Sequence, residues 1–220
     1  MSPLFVIASR ARMAKLPTPM KSRMFAAAAA ILLGYLPAEN SLAQALGPEV
    51  AVATIKVGKE RDLRQVVIGF YDGVAPLHVQ NFKDLARKRY FNGMRFHRAF
   101  PGSLLQTGDP YSKHGPTDRT GTGGPGYTIP AEIRLPHKSG SVAMSRIDGK
   151  INPAKVSNGS QFYICLKDQP KLNGEYTVFG RVLEGQDALE EISRKGTDPN
   201  NFPLEKIVIK RIVIEPRTAS

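Results

Sequence analysis

Downstream of residue 49, short apolar or alternating segments suited to strands recur between turns and loops, and helical spacing appears twice. Residues 50–57 are apolar enough for a strand. Residues 61–71 alternate, with Val66, Ile68 and Phe70 on one face, and Lys59-Glu60 forms the turn between the two strands. Ala75-Pro76 opens a helix, because proline is tolerated in a first turn. Its apolar stripe is Val79, Phe82, Leu85 and Ala86, and it ends near the cationic run Arg87-Lys88-Arg89. Residues 94–100 and 104–107 read as strands around the turn Pro101-Gly102. Further strands are predicted over 140–146, 161–166, 176–183 and 204–215, with a bulge at Lys210-Arg211. A short helix over 185–195 turns Ala188, Leu189 and Ile192 inward. The pattern predicts a mainly β fold, a barrel or sandwich of antiparallel strands with two helices covering its ends.

The first forty-five residues break this pattern. Met20-Lys21-Ser22-Arg23 is a short basic region, residues 25–36 form an apolar run too short to span a bilayer, and Ala43-Gln44-Ala45 is a small-x-small site. An export signal cleaved after Ala45 is expected, with an uncleaved membrane anchor as the alternative, giving a leader over 1–45 and one folded domain over 46–220. The leader starts at Met1, Met20 or Met24. The cleaved chain keeps 26 basic and 18 acidic residues, a net charge of +8 against +12 for the whole. Apart from Arg87-Lys88-Arg89 at the helix end, those charges are scattered singly, without interleaved aromatics, so nucleic acid is not an expected partner.

The one cysteine, Cys165, lies in an apolar strand and cannot form an internal disulfide; it reads as inert. Residues 121–126, GTGGPG, match the dinucleotide fingerprint in letters only. No strand leads in and no helix follows, so these glycines supply positive-φ positions. His78, His97, His114 and His137 have no metal-ligand spacing, and no nucleophile elbow, P-loop or paired carboxylates occur. No cofactor or metal is expected. The polar residues that stand out are Arg98, Gln106 and Asp109, set among apolar neighbours in FHRAFPGSLLQTGD, residues 96–109. Arg98 lies either on the solvent face of an ordinary hairpin or at the rim of an apolar cleft.

FHRAFPGSLLQTGD, the loop TGTGGPG, the segment SVAMSR, NGSQFYICL and LNGEYTVFGRVLEG together resemble the cyclophilin family of peptidyl-prolyl cis-trans isomerases. The resemblance covers residues 50–215. It implies a closed eight-stranded antiparallel β-barrel capped by two helices, and catalysis of X–Pro isomerisation with neither metal nor covalent intermediate. It makes Arg98 the catalytic guanidinium and Gln106 a hydrogen-bonding side chain that helps position Arg98 and substrate. Leu104, Tyr163 and Leu172 would form the proline pocket, with Phe96 in its supporting wall and Tyr176 closing it. Ser145 and Arg146 would lie along the strand that pairs with substrate backbone, and Gln161 would contact the residue before proline. Several positions depart from the best-known members. Ser103 replaces an aromatic and Leu104 a methionine; Tyr163 replaces a phenylalanine and Arg146 an asparagine; Lys171 stands for a tryptophan and Tyr176 for a histidine. The Ser103 change implies a weaker proline site and the Lys171 change weak cyclosporin binding. Two functional classes follow. One is a monomeric exported isomerase, periplasmic and without a stable membrane span after cleavage, acting on proline-containing polypeptides. The other is a proline-recognition or holdase module with little turnover.

Overall fold

The period-two alternation becomes a single eight-stranded sheet. The computed structural model describes residues 45–147 and 149–218; the expected leader lies outside these residues except for Ala45. The strands are β1 (Glu49–Val57), β2 (Leu63–Phe70), β3 (Arg98–Phe100), β4 (Leu104–Thr107), β5 (Ser141–Met144), β6 (Phe162–Cys165), β7 (Val178–Glu184) and β8 (Ile207–Pro216). They lie in the order β3-β4-β6-β5-β7-β2-β1-β8, each pair antiparallel. The predicted bulge is present. Thr54 faces Arg211 while Ile55 faces Ile209, so Lys210 is the extra residue.

Two helices pack on this sheet, α1 (Pro76–Arg87) and α2 (Gln186–Ser193). Helix α1 begins at Pro76, where a missing N–H costs nothing, and buries Val79, Phe82, Leu85 and Ala86. Phe82 is the hub of the core. Its ring centroid lies 5.6 Å from Phe70, 5.0 Å from Phe91, 5.2 Å from Phe162 and 5.4 Å from Phe179. Helix α2 buries Leu189 and Ile192, while Ala188 is only half-buried.

The barrel expected to close is open. Residues 94–100 were expected to form one strand, but the chain changes partner at His97. The Phe96 N–H donates to the Ile207 carbonyl of β8 at 3.0 Å, and the His97 N–H donates to the Gln106 carbonyl of β4 at 3.1 Å. The free edge of β3 is then covered by the loop before β8, where the Asn201 carbonyl accepts the Ala99 N–H at 2.9 Å. One isolated bridge, Arg95 to Val208, is what links this seam, so the sheet is a curled half-barrel. The partner change also breaks the alternation. Phe96 and Ala99, three residues apart, both point into the core, whereas Arg98 is exposed on the other face.

The aromatic hub makes a quantitative expectation. Phe82→Ala leaves a cavity touching four rings and is expected to cost about 3–5 kcal/mol in urea unfolding. A loss below about 1 kcal/mol would mean that α1 is not the lid of this core.

Candidate active site

The outer face of β3, β4, β6, β5 and β7 carries the candidate site, and pleat parity decides who stands there. Leu105, Ile164, Val142 and Phe179 point into the core. Their neighbours must therefore point outward. The register runs Arg98 to Gln106, Gln106 to Tyr163, Tyr163 to Ala143, and Ala143 to Val178, one residue per strand along a single row. Two strand spacings, about 10 Å, separate the Cα atoms of Arg98 and Tyr163.

At the Tyr163 end is an apolar cluster. Buried Ala143, Tyr163, Cys165 and Val178 pack with partly exposed Leu104, Leu172 and Tyr176. The rings of Tyr163 and Tyr176 meet edge to face with centroids 5.6 Å apart. The four residues assigned to the proline pocket by resemblance, Leu104, Tyr163, Leu172 and Tyr176, thus stand together. Phe96 does not join them, since it lies in the core on the opposite side of the sheet. The Tyr163 hydroxyl is paired. His137 Nδ1 faces the Asn173 Oδ1 acceptor at 3.3 Å and so carries the proton, leaving Nε2 to accept from the Tyr163 hydroxyl at 3.0 Å. Burial pushes the phenol pKa strongly upward, so it stays a neutral donor. Ser103 is tied to the neighbouring loop: Gln169 Nε2 donates to its Oγ at 2.7 Å and to its carbonyl at 3.2 Å.

At the other end of the row, the Arg98 guanidinium lies over the Phe100 ring, 5.2 Å from its centroid, and makes no side-chain hydrogen bond or ion pair among the described residues. It borders a cavity of about 410 Å³ shared with Gln106, Thr120, Gly121, Asp198 and Phe202. Buried His97 also lines that cavity, and neither of its ring nitrogens has a hydrogen-bond partner among the described residues. Arg98 is therefore a rim residue whose donors remain available.

The amides between these ends are committed. Gln106 Nε2 donates to Gln161 Oε1 at 2.9 Å and Ser145 Oγ at 3.3 Å, and makes no bond to Arg98. Gln161 is buried, and its Nε2 donates to the Gly121 and Gly123 carbonyls at 2.9 and 2.8 Å. Its amide holds the glycine loop instead of facing open cleft. Asp109 and Asn158 complete the fastening. The Asp109 carboxylate accepts from the Gly121 N–H, and Asn158 Nδ2 donates to the Gly123 carbonyl at 3.0 Å. Gly121 has φ 92°, and a Cβ on Gly123 would collide with Asp109. Asp109 is visible in the sequence as a polar residue among apolar neighbours, and Asn158 only as the first residue of the turn Asn158-Gly159-Ser160.

Arg146 is also committed. Its Nε donates to the Glu175 carbonyl at 2.8 Å, its Nη1 to the Ile147 carbonyl at 3.1 Å and its Nη2 to Glu175 Oε2 at 2.6 Å, with the guanidinium 4.8 Å from the Tyr176 ring centroid. Only its backbone can pair with a bound chain. The Ser145 N–H donates to the Gln161 carbonyl, and its own carbonyl accepts from Asn158.

Sequence reasoning missed one constellation. His78 Nδ1 donates to Glu132 Oε2 at 2.7 Å, and His78 Nε2 accepts from Ser157 Oγ at 2.9 Å. The same carboxylate accepts the Leu77 and His78 N–H groups that open α1. Ser157 is almost fully buried within a bridge to Ile129, so no substrate can approach it. The three residues cap α1 and fasten the loop after β4. Cys165 is likewise silent, with burial pushing its thiol up to about 12.

Desolvation lowers the pKa of His78, His97 and His137 below the ordinary 6.5. Hydrogen bonds to Glu132 and Asn173 oppose the effect at His78 and His137, and the charge of Asp109 opposes it at His97. All three are therefore neutral at pH 7.

Residues 53–214 match the family described as cyclophilin type peptidyl-prolyl cis-trans isomerase/CLD. A peptidyl-prolyl cis-trans isomerase of Helicobacter pylori is 36% identical over 151 residues, covering 66% of this chain and 82% of that protein. Peptidyl-prolyl cis-trans isomerase B of Bacillus subtilis is 38% identical over 135 residues, covering 60% and 85%. A crystal structure of a Cryptosporidium parvum cyclophilin type peptidyl-prolyl cis-trans isomerase, determined in the presence of the dipeptide Ala-Pro, aligns with a TM-score of 0.65. It is 27% identical and covers 76% of this chain and 99% of that one.

The neutral histidines predict a pH profile. An unfolded chain binds protons at these sites below pH 6.5 and the folded chain does not, so stability falls as pH drops through 6.5 toward the lowered folded values. Glu49, Glu60, Asp168 and Glu175, held low mainly by Lys83, Lys195, Lys138 and Lys155, add a further loss only from about pH 4.5 downward. Urea midpoints should decline between pH 7 and 5; a flat profile there contradicts buried neutral imidazoles.

Proposed function

This chain belongs to the cyclophilin-type peptidyl-prolyl cis-trans isomerase family, and we propose that it isomerises X–Pro bonds in unfolded or flexible exported polypeptides, with Arg98 as the catalytic group. The barrier to be lowered is amide resonance, about 18–20 kcal/mol. A catalyst need only bind the twisted amide better than either planar isomer. The outer face of the sheet offers what that requires. Leu104, Tyr163, Leu172 and Tyr176 take the proline ring, and the Arg98 guanidinium donates to the preceding carbonyl and toward the prolyl nitrogen as it pyramidalises. Gln106, Gln161 and Ser145 hold the backbone around that guanidinium. The Arg146 backbone pairs with the substrate chain.

One observation carries this reading: on a row whose other polar side chains are internally satisfied, Arg98 alone keeps its donors free. A preorganised donor of this kind is worth several kcal/mol in a cleft that excludes water. Ser103 favours the second reading, a proline-binding module with slow turnover, because it leaves the pocket without one aromatic wall.

Export rests on the basic, apolar and small-residue leader, and β1 begins at Glu49, just past the expected cleavage point. Among the described residues no helix is long and apolar enough to cross a membrane. In the periplasm, a catalyst of a step that takes tens of seconds unaided would speed folding of secreted clients.

Two measurements follow. In exchange NMR on a short Ala-Pro peptide, Arg98→Ala should lower kcat/KM about 100- to 1000-fold with an unchanged unfolding midpoint, and Arg98→Lys should not restore it. No wild-type enhancement leaves only the binding module, and an unaffected mutant removes Arg98 from the mechanism. Protein recovered from the periplasm should begin at Leu46; a membrane-bound chain beginning upstream of Phe25 would contradict cleavage.

A further inference from the structure

Beside the proline cluster lies a second cleft of about 550 Å³, lined by Arg146, Lys150, Lys171, Leu172, Glu175 and Tyr176. Leu172 and Tyr176 belong to both, so the cleft adjoins the cluster and lies within a residue or two of a proline seated there. The cleft holds three cations and one carboxylate. That carboxylate is already shared, with Arg146 Nη2 at 2.6 Å and Lys155 Nζ at 2.9 Å from Glu175. Even with Lys150 left out of the balance, Arg146, Lys155 and Lys171 against Glu175 make the cleft net cationic. Lys171 is exposed, stands in the short 3₁₀ turn Pro170–Leu172, and has no ion-pair partner among the described residues.

Arg146 differs from an ordinary surface cation. Its side chain is 6% exposed and held by three hydrogen bonds and the Tyr176 ring, so its charge is fixed in place. Its donors are used internally, so it acts on a ligand carboxylate only as a fixed nearby charge. The apolar wall continues into the proline cluster, which suits an extended peptide.

We propose that this cleft is a specificity subsite that selects an acidic side chain within two residues of the substrate proline. The proposal rests on the isomerase reading for its readout and adds a charge preference to it. Lys171 is the principal selecting group, and Arg146 sets the fixed background charge.

The test uses three peptides that differ only in having Glu, Gln or Lys beside the residues flanking proline, on either side in turn. At low salt, wild-type protein should show kcat/KM about threefold higher for Glu than for Gln, and lowest for Lys. The ratio should shrink toward one in about 0.5 M salt, where screening acts within a few ångströms. Lys171→Glu should reverse the order, each variant being referenced to its own Gln peptide and checked for an unchanged unfolding midpoint. Equal wild-type rates for all three peptides overturn the subsite and leave the isomerase reading intact, as does a preference that survives Lys171→Glu. If no peptide is turned over, the isomerase reading fails and dissociation constants decide the subsite. Tighter binding of the Glu peptide supports it, and equal binding overturns it.

Discussion

Which face of the sheet a residue occupies is the constraint on which the site depends. Leu105, Ile164, Val142 and Phe179 are drawn inward by the core around Phe82. Gln106, Tyr163, Ala143 and Val178 are outward for that reason alone. A slip of one residue in β4 would bury the Gln106 amide in the core and expose Leu105, at a cost of several kcal/mol. The hydrophobic effect thus sets the position of the polar residues, although none of them contributes apolar surface to the core.

The second layer is a chain of satisfied amides. Asp109, Asn158 and Gln161 fasten the glycine loop from three directions, and Gln161 passes the order on to Gln106 and Ser145. Such networks are rigid because breaking one member strands buried polar atoms. Their consequence at the site is selective. Donors that could compete for a substrate carbonyl are used internally, while the Arg98 guanidinium rests on Phe100 with its donors open. Arg146, just past the end of β5 and three strands from β3, has the same functional group but is spent on Glu175 and Ile147. What separates the two arginines is the presence of local acceptors.

Local pattern was enough for the strands, both helices, the Lys210 bulge and the buried stripe of α1, because each follows from the period of apolar residues within one segment. The face shared by Leu104, Tyr163, Leu172 and Tyr176 came from resemblance; the register accounts for Leu104 and Tyr163, while Leu172 and Tyr176 pack on it from the segment before β7. The open seam was not legible. It depends on Asn201, about a hundred residues downstream, reaching the edge of β3. The same event reversed parity at His97 and took Phe96 away from the cleft, which no count along residues 94–100 could reveal. The link from His78 through Glu132 and Ser157 joins three separate loops and helices, so it left no mark in spacing.

The central claim is that one cross-strand row, from Arg98 through Gln106 to Tyr163, binds the X–Pro unit. The most direct measurement is side-chain and amide NMR of the protein during titration with an Ala-Pro peptide. The account predicts exchange broadening and shifts concentrated at the Arg98 guanidinium, Leu104, Tyr163, Leu172 and Tyr176, with the core residues Leu105 and Ile164 little changed. Perturbations centred elsewhere on the molecule, with the Arg98 guanidinium signals unmoved at saturation, would contradict it.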